Sequence, residues 1–379
     1  MTGRRRRGAW RGLLTATAIM GCSSDSTAPP PAAGALDVTN VTFGADPDLD
    51  GYLVTVNGAV SMPIAANGAV RFDGLAPGEH VVALSGLAAQ CLAGQGPLTV
   101  VVEGGRTASV SHDVFCELDP RVLVGAGDIA TCDLESDEAT AALLDTIPGT
   151  VFTAGDNVYP NGTAAEFADC YGPTWGRHRD RTRPSPGNHD YNTADASGYY
   201  AYFGPRAGEP DKGYYSFEVG SWHVIALNST LEGDAAAAQQ AWLEGELAAR
   251  SATCSVAYWH HPRFSSGYHG NHASVAPVWD ALYEAGLDIV VNGHDHHYER
   301  FAPQNPAGEP DPVNGIRQFV VGTGGIDLFP AVFLKANSEA RNSGVHGVLK
   351  LTLGSGFYGW AFVAAAGHSF TDAGIAPCH

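Results

Sequence analysis

The spacing of hydrophobic and polar positions along the chain changes near residue 120. Before that point, short runs rich in β-branched residues are separated by Asn-Gly and other Gly-containing turns, a pattern typical of strands joined by tight turns. These runs cover residues 53–56, 69–72, 80–84, 98–102 and 108–114. We therefore predict a small all-β sandwich domain over residues 35–117.

After residue 120, hydrophobic runs of strand length alternate with stretches of helical periodicity. The strand-like runs are 122–124, 150–152, 254–258 and 288–291, and the helical stretches are 137–144 and 235–247. Further strands at 317–321, 347–353 and 357–363 are expected to complete a second sheet. The alternation predicts an α/β (α+β sandwich) domain over residues 120–379, in which helices flank two packed sheets. Polar residues that follow successive strands would converge at one edge of such a fold.

The first 21 residues have the features of a signal peptide. Arginines at positions 4–7 and 11 precede an apolar stretch that is too short to span a bilayer. Residues 19–22, Ile-Met-Gly-Cys, look like a bacterial lipobox, so we expect Cys22 to become the lipid-modified first residue. The alternative is an ordinary secretory signal that is cleaved elsewhere. Residues 22–34 are rich in Pro, Ser and Ala and predict a flexible tether.

The composition agrees with an exported globular protein. Its 379 residues suffice for one domain of about 250 residues and a smaller one. The formal net charge of −19 argues against nucleic acid as a bulk partner. It does not argue against a small anionic ligand, because any bound cations would dominate the electric field at their own site. The oligomeric state stays open, and membrane contact is expected only through a lipid anchor at Cys22.

The chain contains seven cysteines. If Cys22 carries lipid, the remaining even number suits disulfides in an oxidising compartment. Six cysteines allow 15 pairings. The domain division favours three of these pairs, Cys91–Cys116, Cys132–Cys170 and Cys254–Cys378.

Candidate chemistry is concentrated in five short polar blocks, each at a point where a hydrophobic run ends or a glycine opens a turn. The blocks are Gly127-Asp128, Gly155 to Tyr159, Gly187 to Asp190, His260, and Gly293 to His296. Their members include two Asp, one Asn, one Tyr and three His, which together are enough oxygen and nitrogen donors for two metal ions. Each residue alone has a common structural explanation, such as a turn, a helix cap or core packing. The occurrence of all five blocks in this order between residues 127 and 296 favours a metal centre.

This order of blocks resembles the calcineurin-like metallophosphoesterases and, within them, the purple acid phosphatases. The family pattern GDxG, GDxxY, GNH(D/E), a His after a hydrophobic strand, and GHxH corresponds to GDIA (127–130), GDNVY (155–159), GNHD (187–190), VAYWH (256–260) and GHDH (293–296). Tyr159 is the most discriminating match, since ordinary metallophosphoesterases lack it. Ala130 replaces the last Gly of the first block, which removes no ligand.

By this resemblance, the seven side chains form two metal sites that share Asp156. A carboxylate can bridge two ions through its two oxygens. The resemblance assigns Asp128, Tyr159 and His296 to the first site, and Asn188, His260 and His294 to the second. A phenolate ligand favours Fe(III) in the first site, whereas two imidazoles and an amide oxygen suit Zn(II), Fe(II) or Mn(II) in the second.

The function that the resemblance implies is hydrolysis of phosphate monoesters by a hydroxide that two metals activate, as in purple acid phosphatases. It places His189 at the phosphate or leaving group and His269 at the substrate-facing position, and Asp190 is expected to orient His189 or to serve only as a turn residue. A phosphodiesterase or nucleotidase on the same metals is the alternative, and a non-catalytic surface-binding lipoprotein is a third hypothesis. Structural or surface roles are expected for His261, His297, His346, His368 and His379.

The N-terminal domain carries no cluster of acids or histidines that suggests catalysis. Residues 73–81 resemble the turn of small β-sandwich modules appended to exported bacterial proteins, so an Ig-like or transthyretin-like sandwich is expected. The role of this domain stays open: it could be a spacer, a domain that binds a substrate surface, or a folding aid. The expected location is the bacterial cell envelope or the extracellular space, with the chain lipid-anchored after export.

Overall fold

The computed structural model describes residues 32–250, 252 and 254–379. The predicted signal peptide, Cys22 and the predicted tether as far as residue 31 lie outside the described residues. An all-β region comes first along the described chain, and a larger region of mixed strands and helices follows it.

Eight strands form the first region: β1 Gly34–Phe43, β2 Tyr52–Val56, β3 Val60–Ile64, β4 Gly68–Leu75, β5 Gly78–Ser85, β6 Cys91–Ala93, β7 Leu98–Val102 and β8 Thr107–Cys116. They make two four-stranded sheets, in the orders β4-β1-β8-β6 and β3-β2-β5-β7. Alternate residues of β2, such as Tyr52 and Val54, are buried. They join Leu36 and Val38 of β1 in one apolar cluster, so the two sheets pack face to face.

The second region contains the remaining described strands: β9 Arg121–Ala126, β10 Thr150–Ala154, β11 Thr182–Ser185, β12 Tyr215–Val219, β13 Trp222–Ala226, β14 Cys254–Trp259, β15 Ile289–Asn292, β16 Tyr298–Phe301, β17 Arg317–Val321, β18 Ser338–Asn342, β19 Gly347–Gly354, β20 Phe357–Ala364 and β21 Ala373–Pro377. Its α-helices are α1 Ser136–Thr146, α2 Ala164–Glu166, α3 Ser197–Phe203, α4 Gly233–Ala249 and α5 Ala276–Glu284. Among the described helices, none is long and apolar enough to cross a membrane.

These strands form two sheets, a six-stranded one in the order β11-β10-β9-β19-β20-β21 and a seven-stranded one in the order β12-β13-β14-β15-β17-β16-β18. One buried cluster joins Leu123 of β9 and Leu351 of β19 to Val256 of β14, so the sheets pack on each other. On the outer face of the seven-stranded sheet, a second cluster contains Leu243 of α4 and Trp279 of α5. The predicted fold class, two packed sheets with flanking helices after a small all-β region, is confirmed.

The expectation that all three C-terminal strand runs complete one sheet is wrong. β19 and β20 belong to the six-stranded sheet, where Leu351 of β19 lies opposite Leu123 of β9. β17 instead pairs with β15 in the seven-stranded sheet, in parallel. A hydrophobic run identifies a strand but carries no information about its pairing partner, which tertiary packing decides.

Three disulfides join the pairs that the domain division favoured: Cys91–Cys116, Cys132–Cys170 and Cys254–Cys378. The first lies within the all-β region and the other two lie within the second region. The two regions also contact each other. The ring centroids of Phe115 and Phe357 are 5.2 Å apart, and the backbone N–H of Ser355 donates to Glu117 Oε2 at 3.2 Å.

Candidate metal centre

Parallel strands of both sheets end at the same edge of the second region, and each end carries a tight turn. β9 leads to Asp128, β10 leads to Asp156, and β15 leads to His294. All three residues adopt the left-handed backbone region, with φ of 61°, 47° and 70° respectively. Such conformations are uncommon for residues other than glycine and are concentrated at functional sites. They turn the three side chains into one shared space.

Glycines make room for this close approach of the turns. Gly155 has a φ of +81°, and a Cβ built there would lie 2.6 Å from the His260 ring. A Cβ on Gly293 would lie 2.5 Å from Asp128 Oδ2. Any larger residue at either position would push a candidate ligand out of place, so the sequence blocks need their leading glycines for steric reasons.

The first group of donor atoms surrounds the phenol oxygen of Tyr159. The Tyr159 hydroxyl lies 2.9 Å from Asp128 Oδ1, 3.0 Å from Asp156 Oδ2 and 3.4 Å from His296 Nε2. His296 Nδ1 donates to the carbonyl oxygen of Asp327 at 2.8 Å. That hydrogen bond leaves the lone pair on Nε2, which faces the other three donor atoms.

The second group surrounds Nε2 of His260, a fully buried imidazole. This nitrogen lies 3.0 Å from Asn188 Oδ1, 3.2 Å from Asp156 Oδ2 and 3.2 Å from His294 Nδ1. His260 Nδ1 donates to the carbonyl oxygen of Ala154 at 2.9 Å, so its Nε2 also presents a lone pair. The same oxygen of Asp156 thus belongs to both groups.

The spacing of these atoms fits bound cations. Donor atoms that lie about 2.0–2.1 Å from one tetrahedral or octahedral ion are roughly 2.8–3.4 Å from their neighbours around that ion. The contacts within each group, 2.9–3.4 Å around Tyr159 and 3.0–3.2 Å around His260, fall within this range. Asp128 and Asp156 are buried carboxylates, and buried carboxylates need a compensating positive charge. The residues present therefore fit two metal ions.

Electrostatics lead to the same conclusion at Tyr159. Burial, together with the carboxylates of Asp128 and Asp156, raises the pKa of the Tyr159 phenol well above its ordinary value. A di- or trivalent cation at this position would reverse that effect, because its charge becomes the dominant local field. Without a cation, a phenol beside two buried carboxylates could not ionise. With one, the Tyr159 phenolate would be a strong anionic ligand.

Asp190 supports the site through the backbone. Its Oδ2 accepts hydrogen bonds from the backbone N–H of Gly187 at 2.9 Å, and from the backbone N–H and Nδ2 of Asn157 at 3.2 and 3.0 Å. Burial, and then the charge of Asp156, raise the pKa of Asp190 to about 7. The expected contact with the His189 ring is not formed, because His189 Nδ1 lies against the carbonyl oxygen of Pro160 at 2.8 Å. Asp190 fixes the turn that carries Asn188 instead.

The two expected catalytic histidines flank the two groups. The ring of His189 lies 4.3 Å from the ring of Tyr159, and its backbone N–H donates to Asp156 Oδ1 at 2.7 Å. His269 is exposed, and its Nδ1 lies 3.2 Å from Nε2 of His294. Both imidazoles are therefore adjacent to candidate metal ligands without belonging to either group.

His261, for which a structural or surface role is expected, lies beside the second group, with its ring 4.4 Å from the ring of His294. His260, His261 and His294 offer donor atoms within 4.8 Å of one another. Burial, and then His260, lower the pKa of His261 to about 2, so this ring stays neutral at physiological pH. His272 also joins the cluster, 4.5 Å from His261. Two sequence signals could have revealed His261 and His272: the adjacent pair His260-His261, and the position of His272 three residues after His269.

Comparisons with known proteins agree with this geometry. Residues 119–298 match the family model described as calcineurin-like phosphoesterase. Purple acid phosphatase 15 of Arabidopsis thaliana is 32% identical over 195 residues, which cover 42% of this chain and 37% of the relative. Purple acid phosphatase 18 of the same plant is 35% identical over 118 residues, which cover 30% of this chain and 26% of the relative. The chain thus spans well under half the length of these curated relatives.

A solved structure is similar to this chain in fold. The purple acid phosphatase from yellow lupin (Lupinus luteus) seeds superposes with a TM-score of 0.56 at 16% sequence identity, over 88% of this chain and 70% of that one. At this identity the similarity establishes the fold alone. Together with the family match, it confirms the resemblance that the sequence blocks indicated.

Proposed function

Because the chain carries a calcineurin-like metallophosphoesterase domain that is similar to purple acid phosphatases, we propose that it is an exported, metal-dependent hydrolase of phosphate monoesters. One observation carries the proposal: two groups of donor atoms, one around Tyr159 and one around His260, share a single oxygen of Asp156. A shared carboxylate is what a pair of catalytic ions requires.

We assign Fe(III) to the group of Asp128, Asp156, Tyr159 and His296, because a phenolate is a hard, strongly donating ligand. Zn(II), Fe(II) or Mn(II) would occupy the group of Asp156, Asn188, His260 and His294. When bound, the two ions would hold the phosphate, lower the pKa of a water and offset the charge that develops during attack on phosphorus.

The chain's own residues would position the ester and supply a proton. If His294 Nδ1 binds the second ion beside His260 Nε2, the hydrogen of His294 would lie on its Nε2, which would donate to His269 Nδ1, 3.2 Å away. His269 would then carry its own hydrogen on Nε2, the nitrogen left to face the substrate. We propose that His269 protonates the leaving alkoxide, and that His189, on the Tyr159 side, grips the phosphate.

Turnover of p-nitrophenyl phosphate beside bis(p-nitrophenyl) phosphate tests this function. We expect the metal-replete protein to prefer the monoester, to lose activity to a chelator, and to regain it with Fe(III) plus Zn(II), Fe(II) or Mn(II). Elemental analysis should find iron, and the Tyr159 phenolate should give a visible charge-transfer absorption. A preference for the diester would make the protein a phosphodiesterase. Absence of turnover with both ions bound would favour a surface-binding lipoprotein.

We propose further that the mature chain begins at a lipid-modified Cys22 and is held at the bacterial cell envelope. The motif at residues 19–22 and three disulfides, which persist in oxidising compartments, support export. Cys22→Ser should shift the protein from the membrane fraction to the soluble fraction, as measured by fractionation and immunoblotting. Membrane association that the substitution leaves unchanged would rule out the anchor.

A further inference from the structure

An exposed apolar surface lies beside the metal centre. Its members, here called the apolar rim, are Tyr268, Phe329, Val332, Phe333 and Leu334, and they are 42–70% exposed. Single exposed apolar side chains are normal on soluble proteins, but a contiguous group of large ones marks a surface that binds something apolar. Four of the five members come from a single loop, residues 329–334.

One end of the apolar rim is attached to the first group of candidate metal ligands. The ring of Phe329 stacks on the ring of His296, with centroids 4.8 Å apart and an interplanar angle of 17°. The backbone N–H of Phe329 donates to the carbonyl oxygen of His296 at 2.9 Å. Phe329 therefore contacts a candidate metal ligand and is also partly exposed to solvent.

The other end of the apolar rim is attached to the loop that carries His269. The backbone N–H groups of Val332 and Phe333 both donate to the carbonyl oxygen of Ser266, at 2.8 and 2.9 Å. Three residues later in the chain is His269, and the ring of the intervening Tyr268 lies 5.5 Å from the His269 ring. The rim thus runs from His296 to His269 along one side of the candidate centre.

Hydrogen bonds hold the rim in place. Lys335 donates its backbone N–H to Ser266 Oγ at 3.0 Å, and Ser266 donates its own backbone N–H to Glu299 Oε2 at 2.8 Å. Glu299 is fully buried. A preformed surface of this kind binds a ligand without first paying to order a loop.

We propose that the apolar rim is the leaving-group subsite of the metal centre, and that the preferred substrates are phosphate monoesters of apolar alcohols, with an alkyl chain or an aromatic ring. The inference rests on the proposed function. In the proposed function, ions in the two donor groups would hold the phosphoryl group, and the alcohol would leave beside His269, the proposed proton donor. Tyr268 and the 329–334 loop border that side. A sugar or glycerol leaving group would gain nothing from these side chains, whereas an apolar one would remove them from water.

The experiment compares kcat/KM for hexyl phosphate with kcat/KM for ethyl phosphate on the metal-replete, full-length protein. The two leaving groups have nearly the same basicity, so the ratio reports contact with the extra methylenes. We expect the ratio to be about ten or more in the native protein, because one methylene in an apolar pocket is worth tenfold or more. In the double variant Phe333→Ser/Leu334→Ser, the ratio should fall about tenfold, towards one. Hydrolysis of ethyl phosphate should change little.

A matched control removes two exposed apolar residues elsewhere. Leu49 and Leu118 are 90% and 71% exposed, and Leu118 precedes β9, at the end opposite Asp128. Leu49→Ser/Leu118→Ser should keep the native ratio. Three results would overturn the proposal. The first is a hexyl-to-ethyl ratio of kcat/KM near one in the native protein. The others are an unchanged ratio in the rim variant and equal losses of kcat/KM on both esters in that variant.

A binding measurement separates this inference from the proposed function. Hexylphosphonate and ethylphosphonate are not hydrolysed, so calorimetry on the metal-loaded protein reports the subsite even if no ester turns over. The subsite is supported if the native protein binds hexylphosphonate more tightly than ethylphosphonate and the rim variant loses this difference. This result does not depend on whether the protein hydrolyses any ester. Equal binding of the two phosphonates overturns the proposal. Two further results would also overturn it, because the rim would then be an interface. One is a dimer in sedimentation that the rim variant does not form. The other is binding to zwitterionic phosphatidylcholine vesicles, but not to hexylphosphonate, that the rim variant loses.

Discussion

Asp156→Asn is expected to lower kcat/KM for p-nitrophenyl phosphate by about 10³-fold or more. Asp156 Oδ2 lies 3.0 Å from the Tyr159 hydroxyl and 3.2 Å from His260 Nε2, so one oxygen serves both donor groups. An amide keeps the shape of the side chain but loses the charge that holds two cations. Bound ions contribute several kcal/mol to transition-state stabilisation, and each 1.4 kcal/mol is a factor of ten in rate.

Metal content decides the cause of that loss. The variant should bind less than one ion per chain by elemental analysis, with unchanged circular dichroism. Asp137→Asn is the matched control, because Asp137 is also a buried aspartate but accepts its hydrogen bonds from Glu138 and Thr174, outside both donor groups. It should keep both ions and nearly full activity. Two ions and native turnover in Asp156→Asn would show that Asp156 does not bridge metals.

The sequence allowed the candidate ligands to be predicted because most of them follow a buried strand through a glycine-led turn, and His260 follows the end of β14 directly. Parallel strands of one sheet end at one edge, and the packing of two sheets brings their edges together. Asp128, Asp156 and His294 all follow that rule, with left-handed backbone conformations that commit their side chains to the shared space. Local sequence thus determined both the residue type and its direction.

What local sequence could not supply was contact between segments that are distant in the chain. His261 lies beyond the end of β14, where the alternation of a strand no longer decides which way a side chain points. Its approach to His272 and His294 depends on how the following loop folds back. For the same reason, the sheet to which β17 belongs and the hydrogen bonds of Asp190 emerged only from the structure.

In the N-terminal region, three strands escaped prediction. β3 and β6 are short, and β6 has only three residues. β1 is long, but its run interleaves Asp37, Thr39 and Asn40 with apolar residues, and β8 pairs with it in parallel across more than 60 intervening residues. A pairing of that sequence separation leaves no local turn signal, so periodicity alone could not place the strand.

His269→Ala is expected to lower kcat for ethyl phosphate by about 10²–10⁴-fold, and to affect p-nitrophenyl phosphate far less. An alkoxide is a strong base that must be protonated as the bond to phosphorus breaks, whereas p-nitrophenolate leaves without help. His269 is exposed beside the candidate centre, and its Nδ1 lies 3.2 Å from His294 Nε2. With His294 Nδ1 bound to an ion, His294 Nε2 would donate to that nitrogen and leave the Nε2–H of His269 free to donate. Steady-state kinetics on both esters, with metal content checked, measure the difference.

Two neighbouring imidazoles make the test specific. His272 is half-buried in the same cluster, 4.8 Å from the His294 ring, so His272→Ala disturbs the surroundings of His294 without removing the proposed donor. It should reduce turnover of both esters by similar, smaller factors. His189→Ala should also lower turnover of both esters alike, because a group that binds the phosphate serves every substrate.

If His269→Ala lowers kcat for both esters equally, or for neither, the proton comes from another group. If His189→Ala alone shows selective loss on ethyl phosphate, the roles of the two histidines are exchanged, since His189 lies on the opposite side of the centre, against Tyr159.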